Sequence, residues 1–186
     1  MPFDSFELIR LHPTHDFGEF SCGDNEGEKD LNDFLLTSSK SYQKELLAVT
    51  YLLVNKQETI AFFSLANDKI SIKDHESTKS AWRRLTGSNI HYLKRRESYP
   101  AMKIGRLAVS HKYKKQGIGQ AILNYLKQHF IDNNRTGCKF ITVDAYKDSL
   151  GFYEKNGFKY ITTSDLKSDT RLMFFDLTLI YNAIQP

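Results

Sequence analysis

The sequence predicts a single α/β (α+β) domain over residues 1–186, and three observations carry that prediction. Strand-type and helix-type runs follow one another in the order strand, two helices, three strands, helix, strand, helix, two strands. The stretch from Lys103 to Phe130, KIGRLAVSHKYKKQGIGQAILNYLKQHF, passes from an apolar β-type run through a glycine-bearing turn into a helix. The chain has 186 residues, 40% of them hydrophobic and 13% aromatic, enough to bury one core without splitting.

Taken in order, Phe6 to Leu11 is a short strand that Pro13 closes, because proline cannot donate to a ladder. Asn25 to Glu28 opens a helix whose buried face holds Leu31, Phe34 and Leu35, with a second short helix after a break at Ser38-Ser39. Ala48 to Val54 and Ile60 to Ala66 are β-branched and aromatic runs joined by the polar Asn55 to Thr59, which reads as a hairpin. Residues 68–100 lack clean periodicity and read as a functional insertion or long loop, with Trp82 and the basic clusters Arg83-Arg84 and Lys94-Arg95-Arg96 inside it. Met102 to Val109 follows as a strand. Ile118, Ala121, Ile122, Tyr125, Leu126 and His129 or Phe130 then recur at three and four residues, one face of a helix. Cys138 to Ala145 is a buried strand, Ser149 to Asn156 a helix, and strands lie near Phe158 to Thr162 and Arg171 to Leu177.

Between the central strand and its helix stands Lys114-Lys115-Gln116-Gly117-Ile118-Gly119-Gln120. A helix start leaves backbone N–H groups without intrahelical partners and carries partial positive charge. Gly117 and Gly119 remove the side chains that would hold an anion off the backbone, and Lys112, Lys114 and Lys115 add cationic charge. A phosphate or pyrophosphate fits. The turn is not a Walker loop, since no Gly-Lys-Ser/Thr follows, and it lacks the third glycine of a dinucleotide fingerprint.

Composition excludes several classes. Charged residues at 26% are ordinary for a globular protein, and a net charge of +4 does not by itself mark a nucleic-acid binder. No apolar run reaches the length of a membrane span, and Met1-Pro2-Phe3-Asp4 lacks a secretory pattern, so the expected location is the cytoplasm with no membrane partner. Cys22 and Cys138 make neither a metal-ligand spacing nor a disulfide framework and read as small buried hydrophobes; no metal site is expected.

Two segments together resemble a known family. Leu107-Ala108-Val109 followed by Lys114-Lys115-Gln116-Gly117-Ile118-Gly119 is similar to the acetyl-CoA motif of the GNAT N-acetyltransferase superfamily, Gln/Arg-x-x-Gly-x-Gly/Ala, with Lys114 where the family prefers Gln or Arg. Gly151-Phe152-Tyr153-Glu154-Lys155-Asn156-Gly157-Phe158 resembles its Phe-Tyr-x-x-x-Gly-Phe segment. The resemblance implies a mixed, mostly antiparallel sheet flanked by helices, with two splayed parallel central strands, here Met102 to Val109 and Phe140 to Ala145. It implies acetyl-CoA as cofactor, coenzyme A as product, backbone contacts from Leu107, Ala108 and Val109, and a pyrophosphate held by Lys114, Lys115, Gln116, Gly117, Ile118, Gly119 and Gln120. A backbone N–H near Leu107 is then the oxyanion donor. Tyr153 is the acid that protonates the departing thiolate, because a phenol near pH 10 stays neutral until the sulfur needs its proton. A core aromatic packed with Phe152 and Phe158 is the other reading of Tyr153. For a general base, Asp144, Glu97, His91 and His111 are all candidates and none announces itself; that absence favours an α-amine, already partly neutral at pH 7, over a lysine side chain.

A narrower resemblance rests on Phe20-Ser21-Cys22-Gly23, Leu31-Asn32-Asp33-Phe34-Leu35, Phe62-Phe63-Ser64-Leu65-Ala66 and Gly105-Arg106-Leu107-Ala108-Val109. These are similar to the branch that includes toxins acetylating the α-amine of aminoacyl-tRNA. In that branch Arg83, Arg84, Arg95, Arg96 and Arg106 become phosphate contacts to tRNA. The resemblance implies an amine substrate and a tRNA as partners, with a small antitoxin protein as a further one; exposed strand edges and the 68–100 segment permit a homodimer without requiring it. Two other readings stay open: an acetyltransferase for a small amine or protein lysine, and a non-catalytic interaction module that keeps the cofactor fold.

Overall fold

The computed structural model describes residues 6–56, 58–71, 97–132 and 136–184. They cluster into two compact units, one drawn from Met1–Ala66 and Ile104–His129, the other from Asn67–Lys103 and Phe130–Pro186.

In the first unit β1 (Glu7–Arg10) pairs antiparallel with β2 (Val49–Val54), Leu8 opposite Leu53. β2 pairs antiparallel with β3 (Thr59–Ser71), Thr50 opposite Ser64. The expected hairpin is present. The Asn55 N–H donates to the Glu58 carbonyl at 3.1 Å, and the Asn55 side-chain oxygen accepts the Glu58 N–H at 2.9 Å, the usual way an asparagine sets a turn. With β4 (Ser98–Val109) the strand order in this unit is β1-β2-β3-β4.

Helix α1 (Glu26–Asp33) starts where the sequence places it, through a capping box. Asn25 accepts the Glu28 N–H at 2.8 Å, and the Glu28 carboxylate accepts the Asn25 N–H at 3.1 Å. The expected break at Ser38-Ser39 is a widened π turn, Phe34–Ser38, after which the chain tightens again into α2 (Ser39–Lys44). Hydroxyls fill the disturbed ladder: Thr37 donates to the Asp33 carbonyl at 2.8 Å and Ser39 to the Leu35 carbonyl at 2.6 Å. The core of this unit gathers Leu11, Phe20, Phe34, Leu35, Leu52, Phe62 and Ala108, with Phe34 stacked on Phe62 and Phe20 edge-on to the same ring.

Helix α3 (Ile118–Asp132) buries Ile118, Ile122, Leu123, Leu126 and Lys127. The expected face is thereby corrected: Ala121 and Tyr125 are only half-buried, because the covered stripe follows two adjacent i, i+4 rows instead of one. Lys127 is buried with them, and burial holds its ammonium below the ordinary pKa.

The second unit continues β3 and β4 and adds β5 (Phe140–Tyr146), β6 (Lys159–Tyr160) and β7 (Thr170–Asp176), in the order β3-β4-β5-β7-β6. β4 and β5 are parallel, while β5-β7 and β6-β7 are antiparallel, with Thr142 opposite Phe174. The sheet is therefore mixed and mostly antiparallel, as expected. Helix α4 (Leu150–Lys155) follows β5, and α5 (Thr178–Ile184) follows β7. The core here is Ile70, Tyr99, Ala101, Phe140 and Phe174.

That core corrects the bounds of the expected 68–100 insertion. Residues 68–71 belong to β3 and 98–100 to β4, since Ile70 and Tyr99 pack on Phe140 where a loop would leave them in water. Residues 72–96, and with them Trp82, Arg83, Arg84, His91, Arg95 and Arg96, lie outside the described residues. Helix α5 was not expected. Asp176 starts it, accepting the Thr178 N–H at 3.0 Å and its hydroxyl at 2.8 Å while paired with Lys139 at 3.1 Å.

Candidate active site

β4 ends in Leu107, Ala108 and Val109. The strand alternation turns Ala108 into the core and leaves Leu107 and Val109 half-buried on the other face. Ser110 then fixes the exit by donating its N–H to the Ile60 carbonyl at 2.8 Å. One turn of 3-10 helix, His111–Tyr113, leads into the predicted loop.

Two residues of that loop have left-handed backbone, Lys115 at φ 62° and Gly117 at φ 80°. A side chain at Gly117 would meet no atom within 4 Å, so the space above this peptide is open. The backbone N–H groups of Lys115, Gly117, Ile118, Gly119 and Gln120 donate to no carbonyl among the described residues; the first bond of the helix runs from the Ala121 N–H to the Gly117 carbonyl at 2.9 Å. Open donors at the positive end of a fifteen-residue helix can hold an anion such as a diphosphate. This is the stretch Lys114 to Gln120 that the sequence singled out.

Two of the three lysines expected to add cationic charge at the turn carry ion pairs. Lys114 is ion-paired with Glu28 of α1, and Lys112 with Glu58 of the β2–β3 hairpin at 3.3 Å. Glu58 also accepts the Tyr113 hydroxyl. The Tyr113 and Lys112 contacts hold the Glu58 carboxyl below its ordinary range, and the Lys114 contact does the same for Glu28. Lys115 is exposed and ion-pairs with no described residue. Arg106, expected as a phosphate contact, instead pairs with Asp30 at 3.2 Å and lies over the Phe34 ring at 5.2 Å.

In the second unit Tyr153 sits on α4 with only 5% of its surface exposed. Phe152 and Phe158 stand edge-on to its ring, at 5.1 and 5.3 Å between centroids. The sequence builds this by ending the helix in a Schellman motif. The Phe158 N–H reaches back to the Tyr153 carbonyl at 3.0 Å, the Gly157 N–H reaches the Glu154 carbonyl at 2.9 Å, and Gly157 takes φ 81°. A side chain at Gly157 would come within 3.1 Å of the Phe175 ring, so glycine is needed for both reasons. The hydroxyl bonds to no described residue, and burial pushes the phenol well above its ordinary pKa. It is a neutral O–H donor at any physiological pH.

The general-base candidates find other partners. Asp144 is paired with Lys103 at 2.5 Å, and Glu97 is exposed. His111 donates both its backbone N–H, at 2.9 Å, and its Nδ1–H, at 3.0 Å, to the Ser21 carbonyl, which leaves Nε2 as its open lone pair. Cys22 is buried as expected and Cys138 only half-buried; both are free thiols that burial pushes up to about 11. No described helix is long and apolar enough to cross a membrane, and no group of His, Cys, Asp or Glu among the described residues has metal-site geometry.

Residues 84–178 match the acetyltransferase (GNAT) domain family. Among solved structures the chain is similar to a tyrosine-to-phenylalanine mutant of KacT, with 16% identity, 97% of this chain and 100% of that one covered, and a TM-score of 0.76. AtaTR bound with acetyl-CoA aligns with 19% identity over 98% and 99% of the two chains at a TM-score of 0.71. AtaT complexed with acetyl-methionyl-tRNAfMet aligns with 19% identity over 97% and 99% at 0.70. No curated protein matches the chain.

Proposed function

The chain belongs to the GNAT acetyltransferase domain family, and on that premise we propose that it moves the acetyl group of acetyl-CoA to the α-amine of aminoacyl-tRNA, as a single domain working in the cytoplasm. The observation that carries the reading is the group of open N–H donors beside Gly117, which the cofactor's diphosphate needs. Lys114, Lys115, Gln116, Gly117, Ile118, Gly119 and Gln120 hold that diphosphate, and the half-buried end of β4 at Leu107 and Val109 offers backbone groups to the pantetheine amides.

The amine nitrogen forms the new bond to the acetyl carbon, and the carbon–sulfur bond breaks. The backbone N–H of Leu107 stabilises the oxyanion. Tyr153 gives its hydroxyl proton to the sulfur, and the proton released by the amine restores the phenol. Burial keeps the Tyr153 phenol protonated until the sulfur departs, and because a buried phenolate is costly the amine's proton replaces the one given up in the same step. Tyrosine-to-phenylalanine mutants of KacT and AtaT among the similar structures support a tyrosine as the acid.

The acceptor follows from chemistry and likeness together. Asp144 is held by Lys103, and an α-amine near pKa 8 reaches the neutral form far more readily than a lysine, so it depends least on a base. AtaT has been captured with acetyl-methionyl-tRNAfMet and with the C-terminus of its antitoxin AtaR, and an antitoxin protein is the partner this reading assigns here. The test is growth of a host on inducing the wild type beside Tyr153→Phe, with bulk aminoacyl-tRNA examined for acetylation. Arrest and acetylated tRNA with the wild type alone are expected; normal growth with unmodified tRNA removes the acceptor assignment.

A further inference from the structure

Lys114 and Glu28 lie 86 residues apart in sequence, yet their side chains meet, and the meeting ties the anion-binding turn to the first turn of α1. The Glu28 carboxylate is fixed independently of the lysine. One oxygen accepts the Asn25 N–H at 3.1 Å, and the group fills the space left by Gly23, where a Cβ would stand 2.2 Å from it. The lysine is the looser partner, its side chain 40% exposed against 23% for the glutamate. A phosphate arriving at the turn therefore finds Lys114 accessible but already neutralised.

We propose that Glu28 is a built-in competitor for Lys114. It holds the ammonium against α1 in the cofactor-free protein and yields it to the diphosphate, so that cofactor binding unties the turn from the helix. The proposal rests on the acetyl-CoA reading. It makes Glu28 a positioning residue that sets cofactor affinity without touching the reacting atoms. Because the pair is partly exposed, its attraction is small, and a dianionic ligand displaces it. The second tie between the same segments, the two His111 donors on the Ser21 carbonyl, is unaffected by an anion and keeps the turn in place during the exchange.

Glu28→Gln isolates the charge, because glutamine serves a capping box as glutamate does and the fold is retained. Calorimetric titration with coenzyme A is expected to show binding tightened about two- to fivefold at low salt, the range an exposed ion pair spans. The gain should vanish near 1 M salt. In a Lys114→Met background the same substitution should change nothing, since the two residues act as one unit. The effect should fall on KM for acetyl-CoA, and in the wild type an NMR titration should show the Glu28 carboxyl moving back up toward its ordinary range when coenzyme A is added. Unchanged or weakened binding in Glu28→Gln, at an unaltered melting temperature, overturns the competitor role and leaves the acetyltransferase reading standing. A wild type that does not bind coenzyme A overturns both.

Discussion

Around Gly117 the chain leaves room above the backbone and a group of donors open, whereas around Tyr153 it packs two phenylalanine rings edge-on against the phenol. Each region uses a left-handed glycine, but for opposite ends. At Gly117 the missing side chain opens space for a ligand; at Gly157 it lets the chain close on Phe175 and fold Phe158 back over Tyr153. The difference teaches where each region's chemistry comes from. On the proposed function the turn binds chiefly through backbone dipoles, and Tyr153 acts through one O–H bond whose orientation depends on its packing.

The largest effect expected from that contrast is on Tyr153→Phe. The substitution removes one oxygen and keeps the packed ring, so kcat should fall about 10²- to 10⁴-fold, the range of a lost general acid, while coenzyme A affinity stays within about twofold. Retained turnover in steady-state assays would break the comparison by making Tyr153 purely a core residue. Gly117→Glu should raise the coenzyme A dissociation constant by more than about a hundredfold in calorimetry, since it adds both a side chain at φ 80° and a negative charge to the seat. An unchanged constant would move the phosphate site elsewhere.

Much of this was legible before the structure. Asn25 and Glu28 mark the start of α1, and the Asn55 hairpin, Gly117 and Gly157 all lie where local chemistry puts them, because caps and tight turns are decided within a few residues. Pairings across the chain were not legible. Nothing local says that Lys114 meets Glu28 or that Lys112 and Tyr113 meet Glu58, so the sequence shows the lysines' charge and not their partners. The polar Asn67-Asp68-Lys69 hid the continuation of β3, which only the packing of Ile70 on Phe140 explains. Helix α5 spans only seven residues, too few for its apolar Leu179, Ile180, Ala183 and Ile184 to stand out from the strand before it.

Two smaller effects sharpen the contrast. Gly157→Ala should destabilise the protein by about 1–3 kcal/mol in thermal or denaturant unfolding, from the left-handed backbone and the close Phe175 contact together. If it lowers kcat in the still-folded protein, the orientation of Tyr153 is under the control of that turn; if it lowers stability alone, the turn only packs. The pH profile is the mildest test. Burial raises the Tyr153 pKa, so the protonated donor persists to higher pH than an ordinary phenol, and no falling limb from this group should appear below about pH 10. Activity should instead rise as an α-amine acceptor deprotonates near pH 8 and then level off. A falling limb below pH 9 would contradict the assignment of Tyr153 as a neutral acid.

The central claim is acetyl transfer through Tyr153 to an α-amine, and transfer of label from radioactive acetyl-CoA to purified aminoacyl-tRNA tests it most directly, with a lysine peptide and a polyamine run beside it. The account predicts label on aminoacyl-tRNA with the wild type, little on the other two acceptors, and loss of the signal in Tyr153→Phe. Label appearing on the lysine peptide or polyamine instead, or equal labelling by Tyr153→Phe, would contradict it.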